Sequence, residues 1–94
     1  MEMVNEIKKL VDAKKEAFLH ASDLIWEYAE IGFQEFQSAK ALTSVLKAEG
    51  FSVKKGVAGI PTAFVASWGE GKPIIGLLGE FDALPALKHG AADP

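Results

Sequence analysis

Between residues 3 and 28 the apolar side chains fall at Val4, Ile7, Val11, Phe18, Ala21, Ile25 and Tyr28, with Leu10 and Leu24 widening the stripe. That spacing predicts a helix over about residues 3–30 with one apolar face. Lys8, Lys9, Lys15, Glu16 and Asp23 lie mostly off the stripe, whereas Lys14 interrupts it. The same positions suit a coiled-coil seam, yet fewer than four clean heptads are present, and a helix covering a sheet gives the same pattern. The helix is expected to fray near residues 29–32, because Gly32 is a natural stop. A second helix is expected over about residues 35–49. Phe36, Ala39, Leu42, Val45 and Leu46 would face inward and Lys40 and Lys47 outward, with Gly50 as the left-handed residue that ends it.

Strand patterns follow. Residues 51–55 alternate weakly and read as a short strand near an edge, where Lys54 and Lys55 discourage further pairing. Residues 56–61 read as a loop and 62–68 as a second strand. Gly69-Glu70-Gly71-Lys72-Pro73 is a tight connection that should pair this strand with the next as antiparallel neighbours. The next segment, Ile74-Ile75-Gly76-Leu77-Leu78-Gly79-Glu80, is apolar without alternation until its end, the pattern of a central strand over about 74–80 covered on both faces. Strand periodicity would then point Glu80 and Asp82 to one side at the carboxyl end, where ligands bind in open α/β sheets, and Phe81 to the other. The tail, 86–94, has no periodicity. The expected fold class is therefore α/β: two N-terminal helices packed on a small mixed sheet, incomplete because the third strand needs neighbours these elements supply only in part.

At 94 residues, with 49% hydrophobic and 24% charged positions, the chain is one globular unit at most and too apolar to be a disordered tail. A net charge of −3 without a basic stripe argues against a nucleic-acid partner. Zero cysteines exclude a disulfide framework and a thiolate metal site. The first residues lack the order of a secretory signal, and no apolar run approaches the roughly 20 residues of a membrane span, so a cytoplasmic protein without membrane contact is expected.

Two stretches add chemistry. Tyr28-Ala29-Glu30-Ile31-Gly32-Phe33-Gln34-Glu35 resembles the "PELGFQE" segment of the zinc-dependent aminoacylase and carboxypeptidase family of metallopeptidases, with Ala29 where proline is usual. Leu78-Gly79-Glu80-Phe81-Asp82-Ala83-Leu84-Pro85 resembles the "GEYDALP" element of its amidohydrolase branch, the aminobenzoyl-glutamate hydrolase B-subunit type. The resemblance covers nearly the whole chain. It implies a portion of a zinc-exopeptidase-like α/β catalytic domain that hydrolyses N-acyl amino acids, dipeptides or aminobenzoyl-glutamate-like amides. It also implies a divalent metal, zinc or manganese, in the full-length parent. By resemblance, Asp82 is the acid that orients a metal-bound histidine, and Glu80 stands where carboxypeptidase-type members carry a histidine ligand.

Asp82 and Glu80 are accordingly the candidate catalytic residues, and no metal is expected on this chain alone. The family's "GHGCGHN" ligand motif should follow residue 85. One register sets residues 88–94 against it, with Ala91 and Asp93 in ligand positions. The other, preferred, reads 87–94 as the start of an insertion and the chain as truncated. Plainer readings stand beside these: Glu80 and Asp82 as a strand end meeting solvent, His20 as a surface residue of the first helix, and His89 as too sparse a partner for a zinc site. The competing functional reading is an interaction module that self-associates as a homo-oligomer through exposed sheet edges.

Overall fold

The computed structural model describes residues 1–85. Helix α1 runs Glu2–Tyr28, helix α2 Phe36–Ala48, strand β1 Ser52–Lys55 and strand β2 Phe64–Ser67, with a single 3-10 turn, Val57–Gly59, between the strands. α1 packs on α2, and α2 lies against both strands. The result is an α/β arrangement of two helices on a small sheet, as the patterning implies. The tail assigned to 86–94, with His89, Ala91 and Asp93, lies outside the described residues.

α1 is long enough to outrun its support. Its 27 residues span about 40 Å at 1.5 Å per residue, nearly the longest dimension of the molecule, 46 Å. Residues 1–20 are all exposed, and Ala21 is the buried residue of the helix. The stripe is where the sequence places it; its first half has no cover among the described residues. Lys14, the residue that breaks the stripe, reaches the far end of α2 and forms an ion pair with Glu49 at 2.9 Å.

The helix ends obey different rules. α1 stops at Tyr28, with Ala29 itself in the left-handed conformation and its N–H donating to the Ile25 carbonyl. The expected stop, Gly32, comes three residues later and plays a different part, described below. α2 closes as its sequence requires. Gly50 adopts φ 93°, the Phe51 N–H donates to the Leu46 carbonyl and the Gly50 N–H to the Lys47 carbonyl. These are the two bonds of a Schellman motif, which satisfies carbonyls the helix leaves unpaired.

β1 and β2 form a two-stranded antiparallel sheet, Ser52 opposite Ser67 and Lys55 opposite Phe64. Two expectations are corrected here. The antiparallel partner of β2 is β1, not the following segment, and residues 74–80 carry no strand. Ile74, Ile75, Leu77 and Leu78 are 83–97% exposed. Their apolar run states a capacity to be buried on two faces, and in the described residues the segment neither joins the sheet nor gains a covering layer. The parallel component of the expected mixed sheet survives as one isolated bridge, Ile31 with Ala83.

What is buried is small. Among the described residues Ala21 and Ala29 are the buried apolar ones, joined by Ser38, Thr43 and Thr62. With so little apolar burial, turn chemistry should weigh heavily in stability. Gly50→Ala, which forces a Cβ into a left-handed position, is expected to lower unfolding free energy by about 1 kcal/mol in urea titrations followed by circular dichroism.

Candidate functional site

The two stretches singled out in the sequence meet. After α1 ends, the chain turns through residues 29–35 into α2, and the Glu30 side chain folds back over the start of that helix. Its Oε2 accepts the Gln37 N–H at 3.0 Å and its Oε1 the Ser38 N–H at 2.7 Å. Helix N-termini leave their first N–H groups without intrahelical partners, and a carboxylate there satisfies them and complements the helix dipole. The residue in the capping position, Glu35, makes no such bond; its Oε1 instead accepts the buried Thr62 hydroxyl at 3.3 Å. Glu30 thus caps α2 from outside, and Glu35 ties the helix to the loop entering β2.

The backbone of Glu30 makes a second attachment. Its carbonyl accepts the Ala83 N–H at 2.7 Å, and Ile31 and Ala83 form the parallel bridge. On the other side of Asp82, the Phe81 ring lies 6.0 Å from that of Phe64 on β2, tilted by 40°. Asp82 is therefore flanked by two anchored residues, and its Oδ2 would lie 3.6 Å from a Cβ placed on Gly32. Gly32 thus lies beside the acid, at a distance where a Cβ would make ordinary contact. Residues 80–83 alternate in exposure, Glu80 and Asp82 exposed, Phe81 and Ala83 half-buried. That alternation matches the expected facing of the two acids, although the segment before them is not in the sheet.

Glu80 has no hydrogen bond or ion pair among the described residues. His20 lies in the exposed part of α1. Among the described residues no group of three or more His, Cys, Asp or Glu could hold a metal ion. Asp82, Glu80 and His20 do not fit a metal centre by themselves, so the chemistry present is that of an exposed carboxylate held in place by its neighbours' backbone and ring contacts. A cleft of about 270 Å³ between α2 and the hairpin, lined by Phe36, Lys40, Thr43, Lys55, Pro61 and Phe64 among others, contains neither acid.

Glu30 is the residue that sequence reasoning passed over. Partial burial pushes its carboxyl up, but the N–H bonds from Ser38 and Gln37 outweigh this and hold it below its ordinary value. The available signal was an acid shortly before a helix start. It lies seven and eight residues from the groups it binds, outside the spacing of a capping box, so no local rule selects it.

Over 95 aligned positions the chain is 43% identical to the B subunit of p-aminobenzoyl-glutamate hydrolase from Escherichia coli, covering 99% of this chain and 20% of that protein. It is 31% identical over 91 positions to thermostable carboxypeptidase 1 of Saccharolobus solfataricus, covering 95% of this chain and 23% of the relative. The chain thus spans about a fifth of the length of the curated relatives it matches. No family model and no solved structure matches it. No helix among the described residues is long and apolar enough to cross a membrane.

The Glu30 clamp has a pH signature. Because its pKa is lower in the folded chain than in the unfolded one, the stabilisation is fully present above the ordinary glutamate value and is lost as pH falls through the lowered one. Glu30→Gln should be less stable than wild type at neutral pH by about 1 kcal/mol. The gap between the two should narrow through that acidic window in urea midpoints measured against pH; a constant gap would contradict the assignment.

Proposed function

We propose that the chain, similar along its length to about a fifth of the p-aminobenzoyl-glutamate hydrolase B subunit and of thermostable carboxypeptidase 1, forms part of the catalytic domain of a metal-dependent amidohydrolase. The reaction is hydrolysis of the amide bond of an N-acyl amino acid, a dipeptide or an aminobenzoyl-glutamate-like small molecule. The observation that carries this reading is the meeting of the Glu30 turn and the Asp82 element, which leaves an exposed carboxylate with its neighbours fixed on both sides.

In this reading Asp82 accepts a hydrogen bond from the ring N–H of a histidine outside the described residues. An acid in that place fixes the histidine's tautomer and orientation. Glu80, the second exposed acid, is assigned to the same rim as a catalytic residue and not as a ligand. The divalent metal, zinc or manganese, belongs to the parent enzyme, and its ligands come from segments other than residues 1–85.

The 94-residue chain should show no metal-dependent turnover. With zinc, manganese or cobalt added, hydrolysis of acyl-amino-acid substrates should stay at background, and chelator-sensitive turnover would overturn that expectation. The functional reading itself is tested in a chimera in which this chain replaces the matching stretch of the Escherichia coli relative. The chimera should hydrolyse p-aminobenzoyl-glutamate in a chelator-sensitive way, and Asp82→Asn should lower its kcat/KM by about 10- to 100-fold, the usual cost of removing a histidine-orienting group. An inactive but folded chimera would count against the reading.

A second reading is favoured by one observation, the exposure of Ile74, Ile75, Leu77 and Leu78: an interaction module whose apolar segment pairs with a second copy. Light scattering decides it. A discrete dimer abolished by Leu77→Lys would support the module, and a monomer at high concentration would remove it.

A further inference from the structure

The Glu30 turn does more than start a helix. We infer that Glu30 is the positioning residue for Asp82, an inference that rests on the functional assignment of Asp82 above. Its carboxylate is pinned by the Gln37 and Ser38 N–H groups, so the residue cannot rotate without uncapping α2. Its carbonyl, fixed by the same constraint, holds the Ala83 N–H at 2.7 Å. The following residue, Ile31, continues the pairing with Ala83, and the one after it, Gly32, faces the Asp82 carboxylate. One side chain therefore transmits the position of a helix end to the residue beside the candidate acid. Among the described residues no hydrogen bond or ion pair holds the Asp82 carboxylate directly. Its placement consequently comes from Ala83 on one side and the Phe81–Phe64 ring contact on the other. The ring contact fixes distance from β2; the Glu30 carbonyl fixes register.

This makes Glu30 distinct from a residue that merely stabilises α2. Weakening α2 at another position should loosen the helix's own hydrogen bonds, whereas loss of the Glu30 link should free the Asp82 element while the β1–β2 pairing, which does not involve it, stays closed.

Amide hydrogen exchange on the 94-residue chain, read by NMR, separates these outcomes. In Glu30→Ala the Ala83 amide should exchange about tenfold faster than in wild type, the scale expected for losing hydrogen bonds to a charged acceptor, with β1–β2 amides unchanged. Glu30→Gln, which retains a side-chain acceptor oxygen, should lie between. Ala39→Gly serves as the control, weakening α2 by backbone entropy without touching Glu30; it should speed exchange in α2 and leave Ala83 protected. An unchanged Ala83 amide in Glu30→Ala overturns the inference, as does an equal effect from Ala39→Gly. Should Glu30→Ala fail to fold, the comparison of Glu30→Gln with Ala39→Gly decides the matter on the same criterion.

The chimera adds the catalytic readout. If Glu30 acts through Asp82, Glu30→Gln should lower kcat/KM in the wild-type background and change it less than twofold in the Asp82→Asn background; additive losses would refute the link. Exchange data that support the link alongside an inactive parent chimera would sink the amidohydrolase reading and leave the Glu30–Ala83 coupling standing, so the two failures are told apart.

Discussion

The carboxylate of Glu30 over the first turn of α2 is the contact on which the remaining order depends. Two N–H groups at 3.0 and 2.7 Å satisfy donors that the helix cannot pair internally. Bonds of this kind to a charged acceptor are shorter and stronger than neutral ones, and the lowered pKa of Glu30 is their electrostatic consequence. The geometry matters more than the strength. A residue fixed at both its side chain and its backbone becomes a junction, and three parts of the chain meet at this one: the end of α1, the start of α2 and the segment that carries Asp82.

Such a junction is needed because apolar burial does little of the organising here. The fully buried side chains are those of Ser38 and Thr43, and the large aliphatic residues of residues 74–78 face water. Complete burial of a Leu or Ile side chain is worth roughly 1.5–3 kcal/mol, so several of the largest available contributions to stability are unused in the described arrangement. A structure of this kind rests on capped helix ends, a Schellman turn, one cross-helix ion pair and a short hairpin. Each is modest; the Lys14–Glu49 pair, being partly solvated, contributes at most about 1 kcal/mol. What they secure is relative position more than depth of the energy minimum.

This also explains which parts of the fold were legible in the sequence. Gly50 was readable because left-handed backbone at a helix end is a local demand that one residue type meets best. The α1 stripe was readable because periodicity is local too, although its first half finds no cover among the described residues and the pattern cannot say so. The segment 74–80 marks the limit of that logic. An apolar run reports how much surface would gain from burial, and the partner that would bury it is a separate fact carried by other residues. Glu30 was missed for the converse reason. Its bonds go to N–H groups seven and eight positions away across a turn, and that turn contains left-handed Ala29 and Phe33, conformations that neither residue type advertises. Even the break in the α1 stripe at Lys14 had a cause, Glu49, that lies at the end of the next helix.

The two motif stretches each contribute an acid, and the acids meet opposite fates. Glu30 has each carboxylate oxygen engaged by a backbone donor, so it cannot change its charge without loosening the helix start. Asp82 has its neighbours anchored and its own oxygens open, with Gly32 beside its carboxylate. A carboxylate that must orient a partner's N–H needs free lone pairs and a fixed base, and direct contacts to its own oxygens would supply the second while using some of the first. Holding Asp82 through the Ala83 amide and the Phe81 ring resolves that conflict. The engaged acid serves as framework while the open one stays available, and the proposed catalytic rim rests on this division between Glu30 and Asp82.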